Sequence, residues 1–151
     1  MSSLTPNTEE KGKREVRIKL NFKVAQPTVN DHIYRWDIIE NELKRSTQYK
    51  TGLPIVEYHT PEGIVDLKAL LGFAKSYEID EEGNIFIDFE PLSDAHSNRA
   101  EFYLNNREFT IQGFGTVNHE TNEVNDDFKL ICVFPTSGAN TERPQHLIEE
   151  N

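Results

Sequence analysis

The sequence predicts an α+β fold: a mostly antiparallel sheet, with enough strands to curl into a small barrel, flanked by two helices. Three features predict it. Val16, Ile18, Leu20, Phe22 and Val24 alternate with Arg17, Lys19, Asn21 and Lys23, the period-two signature of a half-buried strand. Ile33, Trp36, Ile39 and Leu43 recur at three- and four-residue steps, which puts them on one helical face. The apolar runs 73–79 and 85–92 flank Asp80-Glu81-Glu82-Gly83-Asn84, whose last two residues tolerate positive φ, as a hairpin loop requires.

In chain order, residues 1–15 carry Ser, Thr, Pro, Asn and a charge cluster with little to bury, and read as a flexible N-terminal tail. The strand from Val16 ends near Gln26-Pro27, because Pro27 cannot donate to a ladder and Asn30-Asp31 favours a turn. The first helix covers residues 35–46, with Trp36 as its largest burial. A strand over 53–58 follows Gly52 and leaves His59 at its end, where Pro61 and Gly63 enforce a turn. Leu67, Leu70 and Leu71 fit a helical turn or the start of a strand, and periodicity does not choose between them. Ser93 or Asp94 caps a second helix over 95–105 that buries Ala95, Ala100 or the stem of Arg99, Phe102, Tyr103 and Leu104. A strand over 109–113, a glycine-marked kink, a loop over 119–127 and a last strand over 128–134 complete a single domain at residues 16–135. Residues 136–151 return to tail composition.

Composition narrows the function classes. A chain of 151 residues, 36% hydrophobic and 10% aromatic, suits one domain with one core. A net charge of -10, from 26 acidic against 16 basic residues, argues against a nucleic-acid surface and favours basic partners or simply keeps the protein in solution. Cys132 stands alone in an apolar run and reads as a small buried hydrophobe, so no disulfide framework or zinc knuckle is expected. No apolar run approaches the ~20 residues that span a bilayer, no signal peptide opens the chain, and a cytosolic protein is expected. The acidic clusters at Asp80-Glu81-Glu82 and Asp126-Asp127 lack the spacing of a calcium loop, and Gly113-Phe114-Gly115 lacks that of a phosphate loop. No metal and no cofactor are expected.

Two segments stand out as candidate site strands, residues 54–61 ending in His59-Thr60-Pro61 and residues 109–116 containing Thr110-Ile111-Gln112-Gly113-Phe114-Gly115. The succession of Asn30, Tyr34 and a helix, a strand reaching His59 before Pro61, a hairpin on residues 80–84, a helix and then this glycine-rich strand resembles the prohead (capsid maturation) proteases of tailed bacteriophages. The resemblance runs from Val16 to Gly138, includes a final strand before the exit at residues 135–139, and is closest to the branch found in large contractile-tailed phages. That family is related in fold to the herpesvirus maturational proteases.

The resemblance implies that His59 matches the family's base and that Ile111 occupies the position of its nucleophilic serine. Isoleucine has no lone pair to attack a carbonyl, so acyl-enzyme chemistry closes at that position. If Ile111 faces the site, Thr110 faces away, because neighbours on a strand alternate. Thr110 then needs a bulge to serve as nucleophile. His119 fits the place of a third, orienting group. His32, His96 and His146 fall in turn, helix-start and tail contexts. The expectation is a degenerate, non-catalytic, protease-like protein that binds phage capsid or scaffold proteins, in the host cytoplasm during assembly and in the virion head. Self-association into a homo-oligomer is left open, and neither nucleic acid nor membrane is a partner. Two alternatives remain: an active maturation protease using Thr110 and His59, and a phage inhibitor of a host protein. If an ancestral cleft survives, Ile111 lines its floor and an extended partner segment adds to the sheet edge there.

Overall fold

The computed structural model describes residues 15–28, 31–136 and the strand at 146–149. Asn30, residues 1–14 of the N-terminal tail and the exit beyond Thr136 lie outside the described residues. In chain order the elements are β1 (Val16–Lys23), α1 (Trp36–Gln48), β2 (Leu53–Val56), a 3-10 turn (Leu67–Ala69), β3 (Leu70–Ile79), β4 (Asn84–Pro91), α2 (Asp94–Asn106) and β5 (Phe109–Gly115). The short strands β6 (Val117–Asn118) and β7 (Glu123–Val124), then β8 (Lys129–Pro135) and β9 (His146–Glu149), follow.

Six strands run in the order β5-β1-β4-β3-β2-β8, and β8 pairs back onto β5, so the sheet closes as a small barrel with two helices against it. The long ladders β1/β4, β2/β3, β3/β4 and β5/β8 are antiparallel. Two seams are parallel and consist of one bridge each, Leu20 to Phe109 and Ile55 to Val133. Closure removes the open edges that an antiparallel sheet otherwise leaves.

The alternation in β1 gives the expected burial: Val16, Ile18, Leu20 and Phe22 point inward. They meet Leu53 and Ile55 of β2, Ile85, Ile87 and Phe89 of β4, and Ile111 and Val133 of the β5/β8 pair in one core cluster. α1 adds Ile38, Ile39 and Leu43 to the same cluster, and α2 adds Ala100. The hairpin at 80–84 forms as expected. Asp80 Oδ1 accepts from the N–H groups of Glu82 and Asn84, at 3.0 and 2.9 Å, and Gly83 sits at φ +93°. The Asn84 bonds hold the Asp80 carboxyl below its ordinary pKa.

Several elements differ from expectation. Trp36 is 41% exposed, and the largest aromatic burial belongs instead to Tyr34, fully enclosed between Phe22 and Phe128 at ring-centroid distances of 5.3 and 5.2 Å. Tyr34 lies just ahead of the helix, where the chain enters the core before the first turn leaves it. In α2, Phe102 is 54% exposed and Ala95 is exposed, while Ser97 and Ala100 are buried. The open segment at Leu67–Leu71 resolves into the 3-10 turn running straight into β3. The predicted loop at 119–127 contains half of the β6/β7 hairpin. Within the sequence assigned to the C-terminal tail, β9 lies parallel on β5, with His146 opposite Gln112 and Glu149 opposite Gly115.

β8 carries one irregularity that the alternation cannot show. Gln112 pairs with Cys132 but Gly113 pairs with Leu130, so Ile131 is an extra residue in the ladder. The bulge lets Leu130 and Val133 both face the interior, although they are three apart. α1 braces it. Glu42 is 6% exposed, and its Oε1 accepts the Leu130 N–H at 2.8 Å and an Arg45 N–H at 2.7 Å.

Candidate functional site

The loop between β2 and β3 lies over the outer face of the β5/β8 pair, and this is where the candidate residues gather. β2 ends at Val56, so His59 belongs to the loop and not to a strand end. Its ring stacks on Phe134, with centroids 4.2 Å apart and planes 35° apart. Phe134 is the ladder partner of Thr110, and Gln112, two residues on, donates its Nε2–H to the Thr60 carbonyl at 2.6 Å. Gly63, at φ +77°, closes the loop where an added Cβ would stand 2.7 Å from Phe114 and 2.8 Å from Ile131. Glycine alone fits both the angle and the space.

Because side chains alternate along β5, Thr110 and Gln112 share the loop's side with Phe134 and Cys132, while Ile111 pairs with Val133 in the barrel interior. The facing is therefore the reverse of the expected one. Ile111, at 0% exposure, is a core residue on the opposite side of β5 from His59, and no bulge is needed to bring Thr110 to the His59 side. That side is sealed. Thr110 is 0% exposed, Gln112 1%, and Cys132 and Phe134 2% each. Burial pushes the Cys132 thiol up to about 12, which removes thiolate chemistry near neutral pH.

His119 and His96 sit elsewhere. His119 is exposed in the β6/β7 turn, past the C-terminal end of β5, whereas His59 stands over the residue paired to Thr110 near its start. His96 forms a pair that sequence reasoning missed, its Nδ1 2.7 Å from Ser93 Oγ. Ser93 Oγ also accepts the His96 N–H at 3.3 Å, so the pair is a helix cap of the Ser-x-x-polar type, whose spacing is legible in the sequence. Nothing among the described residues orients the far ring nitrogen of His96. Among the described residues no group of three or more His, Cys, Asp or Glu is placed to hold a metal ion, and no helix is long and apolar enough to cross a membrane.

The loop's outer side has a different character. Tyr58 is 48% exposed, Ile64 70% and Leu67 80%. The loop that presents them is braced. Tyr58 donates its hydroxyl to Asp66 at 2.9 Å, and Thr60 Oγ1 donates to the Ile64 carbonyl at 2.7 Å while accepting its N–H at 3.0 Å. At its start Glu57 accepts from Tyr103 at 2.8 Å and from Arg99 at 3.2 Å, which ties the loop to α2. The Lys68 N–H and the Tyr58 hydroxyl together hold the Asp66 carboxyl below its usual range. The edge of β5 expected to receive a partner strand is already taken by β9 along Gln112 to Gly115.

Compared with known proteins, the chain matches no family model, no curated protein and no solved structure.

Proposed function

We propose that the protein acts by binding and not by catalysis: a phage head-associated, prohead-protease-like protein that engages capsid or scaffold proteins during head assembly or in the mature virion. The observation that carries this reading is the braced loop over β5. Its inner side seals the Thr110 hydroxyl, and its outer side holds three large apolar residues in water. Attack on a peptide requires the nucleophile within about 3–3.5 Å of the carbonyl carbon, and a hydroxyl with no exposed surface does not meet one. Exposed apolar side chains on a well-tied loop are, by contrast, what a docking surface needs. Glu62 and Asp66 beside them, on a chain of net charge -10, favour a partner with apolar contacts rimmed by Lys and Arg.

The double variant Ile64→Ser/Leu67→Ser tests it. Both side chains stand in solvent, so the unfolding midpoint is expected to stay at the parent value. Purified particles of the encoding phage are expected to contain the parent chain, cross-linked through residues 58–67 to a capsid or scaffold protein, and to contain the variant at a tenth of that level or less, roughly the loss of 1.4 kcal/mol of binding. Parent chain missing from both proheads and virions would overturn the reading. Salt-sensitive capture of a basic host protein, together with that absence, would favour the inhibitor alternative.

A further inference from the structure

At the seam where β1 meets β5, the barrel wall parts. β1 pairs with β4 from Val16 to Lys19 and again only at Lys23, with a register shift between, and it touches β5 at the single Leu20–Phe109 bridge. The link from α2 into β5 runs alongside, and together they enclose a recess of about 370 Å3, within the ~300–1,000 Å3 usual for small-molecule sites. That link is held at both ends: the Arg107 N–H donates to the Tyr103 carbonyl, and the Glu108 carbonyl accepts the Thr136 N–H, each at 2.7 Å.

Three cations, Lys19, Lys23 and Arg107, line the recess with one anion, Glu108, on a chain whose net charge is -10. Lys19 and Lys23 stand on the outward, exposed side of β1, and Arg107 is half-buried. Arg17, Arg35, Arg45 and Arg99 each pair with a carboxylate, whereas Arg107, alone among the described arginines, pairs with none among the described residues. Nor do Lys19 and Lys23 pair with a described carboxylate. The Arg107 guanidinium lies over the Phe102 ring, 5.7 Å from its centroid, a contact that spends the face of the group and not its N–H donors. In a chain with carboxylates in excess, three cations left without one around a single cavity mark a place for an anion from outside.

The surroundings say which anion. The lining side chains leave a net of two positive charges, and the negative end of the α2 dipole, about half a charge, does not cancel them. The acidic turn at 80–82 does not line the recess. Asn84 does, with its amide hydrogens turned to Asp80 and Glu82 at 3.0 and 3.4 Å. A phosphomonoester, with its second pKa at ~6, is close to a dianion at neutral pH, and the planar arginine fork bonds two phosphate oxygens at once. A carboxylate brings half that charge. Leu104, partly buried, gives the organic part of an ester an apolar neighbour. One recess on an acidic chain suits a single phosphate group and not the backbone of a nucleic acid.

We propose that this recess binds a phosphomonoester, its phosphate oxygens on the Arg107 guanidinium and the Lys19 and Lys23 ammonium groups. The phosphate comes from a free small molecule or from a phosphorylated serine of another protein. The inference is independent of the capsid reading.

Titration of the 15N-labelled full chain with phenyl phosphate at neutral pH, followed by amide NMR, tests it. Saturable shifts are expected at residues 19–23, 84 and 104–109, with benzoate binding at least tenfold more weakly. Arg107→Ala is expected to weaken phenyl phosphate binding about tenfold or more, the loss of a charge-assisted bidentate contact. Lys19→Ala/Lys23→Ala, at two exposed strand positions, is expected to give a similar loss without touching the end of α2, and Lys44→Ala, on α1, none. A short phosphoserine peptide separates the sources: tighter binding than phenyl phosphate points to a phosphorylated protein, equal or weaker binding to a free ester. Shifts that fail to saturate or that centre on other lysines, benzoate binding as tightly as phenyl phosphate, or Arg107→Ala and Lys19→Ala/Lys23→Ala variants that bind like the parent would overturn the proposal.

Discussion

Gly72→Ala is expected to destabilise the protein by about 3 kcal/mol, the upper end of the overpacking range. Gly72, the third residue of β3, pairs with Ile55 of β2 on one side and Pro91 of β4 on the other, so it lies on the middle one of three paired strands in a closed barrel. An added Cβ falls inside van der Waals contact with the Glu90 carbonyl oxygen, 2.9 Å from its carbon and 2.9 Å from the Phe89 ring. The ring could turn, but a carbonyl in a ladder moves only with its strand. Displacing β4 strains the β1/β4 ladder as well, because closure leaves no free edge to absorb the shift. Gly115→Ala is the control. Its nearest contact is the Phe128 Cα at 3.1 Å, near the end of β5, so a smaller loss is expected. Urea denaturation of the two variants and the parent measures the difference, and equal losses would show that β3/β4 spacing is not what Gly72 protects.

Glu42→Ala is expected to cost about 2–3 kcal/mol by the same measurement. The carboxylate has two tasks: it accepts the Leu130 N–H at the β8 bulge, and it neutralises Arg45, whose guanidinium also reaches the Leu130 carbonyl at 3.4 Å and the Tyr49 hydroxyl. Removing it orphans a buried N–H. Arg45 is 30% exposed and regains water, so the loss stays below that of a fully buried pair. Acid should reproduce part of the effect. Desolvation pushes the Glu42 pKa up, but the Arg45 and Leu130 hydrogen bonds outweigh it and leave the carboxyl below its ordinary range. A depressed folded-state pKa gives stability that is complete above the unfolded value, ~4.3, and lost as pH falls through the folded one. Parent and Glu42→Gln stabilities are therefore expected to converge as pH drops below about 4. A gap that persists at pH 2 would assign the effect to packing.

Where structure followed from local rules, the sequence was readable. β1 alternates because one face of a strand is buried, and the turn at 80–84 forms because Asp80 caps it and Gly83 takes positive φ. Of the two caps expected for α2, Ser93 and Asp94, it is Ser93 that caps it. The misses came where burial was satisfied by means other than apolar side chains. α1 buries Glu42, Ser46 and Thr47, which no hydrophobic pattern signals. Ser46 and Thr47 return their hydroxyl protons to the Glu42 and Leu43 carbonyls, each at 2.7 Å, and Glu42 serves a strand 88 residues away. The Ile131 bulge breaks the alternation in β8, and closure of the barrel rests on two single-bridge seams that no local signal marks. At the candidate site, the pairing of the segments that carry His59 and Thr110 was legible, but the facing of their residues was not. A strand of alternating Thr, Ile and Gln fixes which residues share a side, and only the tertiary fold fixes which side is the core.

Whether a sealed hydroxyl does chemistry is open to direct measurement. Purified chain, incubated with itself and with a mixture of phage capsid and scaffold precursors, would be followed by intact-mass spectrometry. A binding protein with Thr110 shut beneath the His59 loop leaves every mass unchanged. Cleavage products that disappear in both Thr110→Ala and His59→Ala, with the fold of each variant intact, would contradict it and restore the protease.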